Sequence, residues 1–189
     1  NPNTATAKRL ADWRALGINR LSIGVQSCSD AELSALGRRH TAAQALDAVT
    51  RAARQFPNLS CDVMLGIPGQ TAESLAQTLT QLTALPITHI SAYLLSIEAG
   101  TPFDCDTVRA QTADEETMVA RYLQMRETLE QNGFLQYEIS NFAKPGFESR
   151  HNLKYWKCVD YIGIGPGAHS CFGGRRYAVP ADLSAFCDA

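Results

Sequence analysis

Residues 59–71 read LSCDVMLGIPGQT. The stretch from Leu59 to Gly66 is short and mostly apolar, as a buried strand requires, and Ile67-Pro68-Gly69 supplies the turn that closes it. Thr71 then caps a helix that the periodicity carries to about Leu82. A strand that runs straight into a capped helix is half of a βαβ unit, and the same unit recurs on either side. Upstream, NRLSIGVQ (19–26) alternates Leu21, Ile23 and Val25 with polar or small residues. It is followed by a short helix through Leu36, whose start Ser29 and Glu32 mark as a capping box, and by a second helix from Thr41 to about Arg54. Downstream, ITHISAYLL (87–95) predicts a third strand. Strands and helices alternating at this spacing predict an α/β fold with a parallel sheet and ligand chemistry at the C-terminal strand ends.

The flanks extend this picture. Thr4 to Leu16 predicts an amphipathic helix with Ala7, Leu10 and Trp13 on one face and Gly17 at its end. No strand precedes that helix, which leaves two readings open: part of a (β/α) barrel whose first strands lie outside this chain, or a small α/β domain that opens on a helix. After Pro102 the texture changes. Thr112 and Glu115 mark the start of a long helix over 113–132, Phe134 to Ser140 predicts a strand, and Tyr161 to Ile164 another. The glycine-rich GIGPGAHS (163–170) precedes what reads as the first turns of a helix. Two regions are expected, 1–112 as the strand–helix core and 113–189 as a short α+β extension.

Composition narrows the function classes. With 189 residues, 45% of them hydrophobic, the chain can build a sizeable core. Lys+Arg 17 against Asp+Glu 19 gives a net charge of -2, so no nucleic-acid surface is expected. No apolar run approaches the ~20 residues of a membrane span, and the N-terminus lacks the regions of a signal peptide, which predicts a cytoplasmic protein. The six cysteines show no CxxC-type spacing and read as reduced, small apolar residues.

Several residues stand where chemistry could occur. Gln26 ends its strand, where an amide faces either a ligand or the next loop. Arg38, in LGRRH, is either a carboxylate clamp or a solvated arginine. Asp62 interrupts an apolar strand and needs either ligand hydroxyls or structural partners to offset its desolvation. The turn from Gly66 to Thr71 offers either a cradle of backbone amides or a plain βα turn. In HNLKYW (151–156), a helix would place His151 and Tyr155 on one face at i and i+4, for a planar ligand, an axial iron bond or a packed aromatic corner. His169 sits among glycines that permit close backbone approach.

Taken in order, NPNT, GINRLSIGVQS, LGRRHT, DVMLGIPGQT, HISAYLLSIEAGTPF, QYEISNFAKPG, HNLKYW and YIGIGPGAHS resemble the radical S-adenosylmethionine (SAM) proteins of the oxygen-independent coproporphyrinogen III oxidase group. Within that group the likeness is nearest to the heme-chaperone branch. The resemblance implies a partial (β/α) radical-SAM barrel, and, for the full-length protein, SAM, a 4Fe–4S cluster and heme. By position, Gln26, Arg38, Asp62 and Ser96 match residues that contact SAM. His151, Asn152, Tyr155 and Trp156 match the HNxxYW motif associated with heme. No residue is assigned a catalytic role or a metal-ligand role. The CxxxCxxC cluster motif and a C-terminal domain are missing from these residues, which implies a fragment of a longer protein. The implied partners are heme and heme-acceptor proteins, respiratory ones among them, with room for peripheral membrane contact. The other function open to the group is oxidative decarboxylation of coproporphyrinogen III.

Overall fold

The structure, a computed structural model, describes residues 1–188; Ala189, the last residue of the expected extension, lies outside them. Two compact units emerge, residues 1–148 and the residues from Ser149 onward. Position 112/113, where the sequence predicts the extension to begin, falls inside the first unit. The helix and strands that follow it complete the core and the sheet of that unit.

In the first unit a 3-10 turn (Pro2–Thr4) leads into α1 (Ala7–Ala15), β1 (Arg20–Gln26), α2 (Asp30–Ala35), α3 (Ala42–Ala53), β2 (Asn58–Leu65), α4 (Ala72–Thr83) and β3 (His89–Leu94). Then come α5 (Asp106–Gln111), α6 (Glu115–Gln131), β4 (Leu135–Gln136) and β5 (Asn141–Ala143). The sheet order is β1-β2-β3-β5-β4, with β1, β2 and β3 parallel and β5 antiparallel to both β3 and β4. The three expected strand–helix units are therefore present as a parallel α/β sheet.

Local chemistry sets the boundaries. Thr41 and Thr71 each accept from the third helical backbone N–H, and Gln44 and Ser74 reach back to the cap N–H, forming full capping boxes. Three expectations are corrected. Thr6, not Thr4, caps α1, and Asp114, not Thr112, caps α6. Ser29 caps α2, but the Glu32 side chain turns away from the box to accept from Ser27 and Gln70. Of the strand expected over 134–140 only Leu135–Gln136 (β4) forms, and β5, just beyond the expected stretch, folds back antiparallel to it.

Alternation across the sheet creates two unlike faces. The row Ile23–Cys61–Ile90–Phe142 lies on one face. It packs with Leu10, Val49, Leu79 and Leu129 from α1, α3, α4 and α6 into a single core. The other face carries the rows Ser22–Ser60–His89 and Gly24–Asp62–Ser91–Asn141. One face thus anchors the sheet on its helices, while the other is polar along these two rows, with Met64 and Tyr93 following them toward the strand ends.

The second unit holds α7 (Arg150–Trp156), β6 (His169–Phe172), β7 (Arg175–Ala178) and α8 (Leu183–Cys187). β6 and β7 form an antiparallel hairpin whose turn contains Gly173 and Gly174, both at positive φ. The strand expected over 161–164 is a single bridge from Tyr161 to Cys171. The buried-cysteine reading holds for Cys61 and Cys171, whereas Cys105, Cys158 and Cys187 are exposed; all six are free thiols. Among the described residues no helix is long and apolar enough to cross a membrane.

Candidate functional site

Gln26, the last residue of β1, and Asp62, in the C-terminal half of β2, both approach Gly24. The register slips by one residue between Gly24 and Gln26, and Gln26 takes φ 71, a left-handed conformation that strains a side chain-bearing residue. Its amide then folds back over Gly24. A Cβ placed on Gly24 would lie 2.8 Å from Gln26 Nε2 and 3.8 Å from Asp62 Oδ2. The missing side chain at Gly24 is what lets the two groups approach one point. Asp62 Oδ1 accepts from Ser22 Oγ at 2.7 Å, which orients the carboxylate, and Oδ2 lies on the Gly24 side. The buried Gln26 Oε1 has no hydrogen-bond partner. Strain, an unmatched buried acceptor and a glycine gap in one place mark a site shaped for something other than its own packing.

A second polar set lies along the same face. His89 stands between two hydroxyls, with Ser60 Oγ 2.8 Å from Nδ1 and Tyr137 Oη 2.7 Å from Nε2. Burial pushes the imidazole pKa down to about 3, assisted by the nearby Arg20 cation, so the ring is neutral with one donor and one acceptor nitrogen. Arg20 donates to Asn58 Oδ1 at 2.6 Å and to the Phe147 carbonyl at 3.4 Å. Desolvation lowers its pKa, opposed by Tyr137 and Asp62. Sequence reasoning missed this set. The signal was the period-2 pattern Arg20, Ser22, Gly24, Gln26 beside Asn58, Ser60, Asp62 and His89, Ser91, hidden because each strand taken singly reads as mostly apolar.

The other expected residues stand apart from this pair. Arg38 is exposed beyond α2, in a shallow depression of ≈ 250 Å³ shared with Asp30, Leu33, Ser34, Arg39, His40 and Thr41. Ser96 follows β3, where its hydroxyl donates to Glu98 Oε1 at 2.8 Å. The turn after β2 is not an open amide cradle. Gln70 Oε1 accepts from Gly66 N–H at 2.9 Å, and Gln70 Nε2 donates to the Met64 carbonyl at 3.1 Å and to Glu32 Oε2 at 3.2 Å. Glu32 Oε2 also accepts from Ser27 Oγ at 2.6 Å. This buried chain ties the loop that follows Gln26 to the turn after β2 and fixes the separation of the two strand ends.

In the second unit, Ser149 caps α7 by accepting from Asn152 N–H at 3.4 Å. The helix forms as the i, i+4 spacing predicts and pairs His151 with Tyr155. Tyr155 Oη lies 3.0 Å from His151 Nε2, and their rings meet edge to face at 5.1 Å. Tyr161 also meets the Tyr155 ring edge to face, at 4.7 Å. His151, Tyr155 and Trp156 are exposed, and Arg150 and Lys154 precede the paired residues on the same helix. His169 lies in β6 and is exposed.

Comparison with known proteins agrees with this architecture. Residues 1–82 match the family model of the radical SAM superfamily. A mouse protein named radical S-adenosyl methionine domain-containing protein 1, mitochondrial, is 44% identical over 175 residues, covering 91% of this chain and 40% of the relative. The heme chaperone HemW of Bacillus subtilis is 38% identical over 179 residues, covering 93% of this chain and 47% of the relative. The chain thus spans less than half the length of either. The solved structure of coproporphyrinogen III oxidase (HemN) from Escherichia coli superposes with a TM-score of 0.77 at 22% identity, covering 97% of this chain and 45% of that one.

Proposed function

From a chain that carries a radical SAM domain and resembles the coproporphyrinogen III oxidase-like group with its HemW heme chaperones, we propose part of a HemW-like protein. In this reading the whole protein binds SAM at the strand ends and heme at the 151–156 segment, and hands heme to acceptor proteins. The observation that carries it is the exposed His151–Tyr155 pair, in a chain whose relatives include proteins named heme chaperones.

The strand-end residues fit SAM chemically. Asp62 Oδ2 would accept from ribose hydroxyls while Ser22 holds Oδ1. Gln26 would offer its amide to a neighbouring polar edge, relieving its unmatched oxygen. Arg38 would meet the ligand's carboxylate from the α2 side, and the backbone at Ser96 would border the same ligand. When bound, SAM supplies an adenosyl group on a sulfonium. This chain's residues orient it and keep the ribose edge hydrogen-bonded. Among the described residues no group of three His, Cys, Asp or Glu side chains is placed to hold a metal ion. In this reading the ligands of the 4Fe–4S cluster belong to the remainder of the protein. The compartment in this reading is the cytoplasm, with the mitochondrion, named for the mouse relative, as the alternative.

Measurements on the full-length protein, reconstituted without oxygen, test the proposal. Asp62→Ala should weaken equilibrium binding of SAM about tenfold by removing a charged acceptor. Gly24→Ala should weaken it as well, because the new methyl displaces the Gln26 amide, yet leave the melting temperature nearly unchanged because only a flexible side-chain tip must move. Heme retention, followed by absorbance, should fall in His151→Ala. Wild-type protein that retains no heme, or that converts coproporphyrinogen III to protoporphyrinogen IX efficiently, would overturn the chaperone reading.

A further inference from the structure

The geometry points to Tyr155, not His151, as the residue whose atom meets the heme iron, with His151 as the positioning residue behind it. This rests on the heme reading above and goes beyond it by naming the donor atom. His151 Nε2, the nitrogen at the outer tip of the ring, is already engaged by Tyr155 Oη at 3.0 Å. The nitrogen left over is Nδ1, which adjoins the Cγ–Cβ bond. A flat macrocycle centred on Nδ1 would run into the helix that carries the ring, whereas a phenol oxygen ends an extended side chain and meets no such obstacle.

Tyr155 is also the better held of the two. Its ring makes two edge-to-face contacts, with His151 at 5.1 Å and with Tyr161 at 4.7 Å, which restrict its rotamer and so aim the oxygen. It is nonetheless exposed, at 41% of its free surface, so a ligand can reach it. Tyrosine oxygen is an established donor to ferric heme, and a hydrogen-bonded partner on a ligating atom is the usual way a protein fixes that atom's orientation and basicity. Arg150 and Lys154 each precede one member of the pair, which sets them about 100° around α7 and beside the pair, where they suit the carboxylates of an iron porphyrin. As the Fe(III)–O bond forms, the Tyr155 O–H bond breaks and its proton passes to His151 Nε2. No electron changes hands.

The test uses full-length protein loaded with ferric heme and reads electronic absorption and low-temperature electron paramagnetic resonance. Wild type should show a high-spin ferric spectrum with a phenolate-to-iron charge-transfer band. Tyr155→Phe should lose that band. His151→Ala should keep it, shifted, while binding heme about tenfold more weakly, as removal of a supporting partner does. A Tyr155→Phe spectrum identical to wild type, with His151→Ala losing the axial signature, would overturn this assignment while leaving heme binding intact. Wild type that binds no heme at all would overturn both this assignment and the function it rests on.

Discussion

Gln70→Leu should destabilise the protein by about 3 kcal/mol, although Gln70 touches neither candidate ligand site. Gln70 is 3% exposed. Its amide satisfies three other groups at once, the Gly66 N–H, the Met64 carbonyl and the Glu32 carboxylate. Leucine fills the volume but answers none of them. Two backbone groups and part of a buried carboxylate would lose their partners in a place water reaches poorly, and each such loss costs roughly 1–3 kcal/mol. The Glu32 carboxylate would keep only Ser27. Because the groups form one chain, their energies should not add. The double substitution Gln70→Leu with Glu32→Leu should cost clearly less than the sum of the two single changes, since the charge that Gln70 leaves stranded is then gone. Urea unfolding of the four proteins measures the cycle. A Gln70→Leu midpoint indistinguishable from wild type, or strict additivity, would show that the turn is held by other means. The position matters for function because Ser27 and Gly66 follow the two strands that carry Gln26 and Asp62.

The parts of this molecule that could be read from sequence are those governed by one strand or one helix at a time. Thr41 and Thr71 announce their helices because a cap and its partner lie within four residues, and the alternation Leu21–Ile23–Val25 announces β1 for the same reason. Asp62 stood out because a carboxylate inside an apolar strand demands an explanation locally. What escaped depends on register between strands distant in the chain. Ser60, His89 and Tyr137 are separated by 29 and 48 residues at their two contacts, and only the pairing of β2 with β3 brings the first two together. The Glu32 side chain leaves its own cap for Ser27 and for Gln70, and the latter, 38 residues away, is invisible to a local pattern. The strand expected over 134–140 stops at Gln136 although no residue between Gln136 and Asn141 is a strong turn former; the chain reverses there because β5 pairs with both β4 and β3. The convergence of Gln26 on Asp62 likewise needs the slip in register at Gly24, which no local pattern encodes.

The buried His89 should make the protein acid-sensitive in a window that opens well above the usual carboxylate range. Its pKa falls from an ordinary 6.5 to about 3 because burial disfavours the imidazolium and Arg20 repels it. Between those two values the unfolded chain carries a proton at this position that the folded chain refuses. Stability therefore rises with pH across the window: the contribution is fully present above about pH 6.5 and is lost progressively as pH falls toward 3. From about pH 6 to pH 4.5 the loss from this one residue amounts to about 2 kcal/mol. His89→Gln isolates it, since a glutamine amide can still donate to one hydroxyl and accept from the other but does not titrate in this range. Unfolding free energies measured from about pH 6 down to about pH 4.5 should fall more steeply for wild type than for His89→Gln, the two curves diverging by about 2 kcal/mol over that interval. Carboxylates elsewhere titrate in both proteins and cancel in the comparison. Parallel curves would mean that the folded protein admits the proton, either by opening this face of the sheet to water or by turning Tyr137 and Ser60 into acceptors. In that case the neutral Ser60–His89–Tyr137 chain would not describe the polar face at acid pH, and the orientation of Arg20 beside it would change with the charge on the ring.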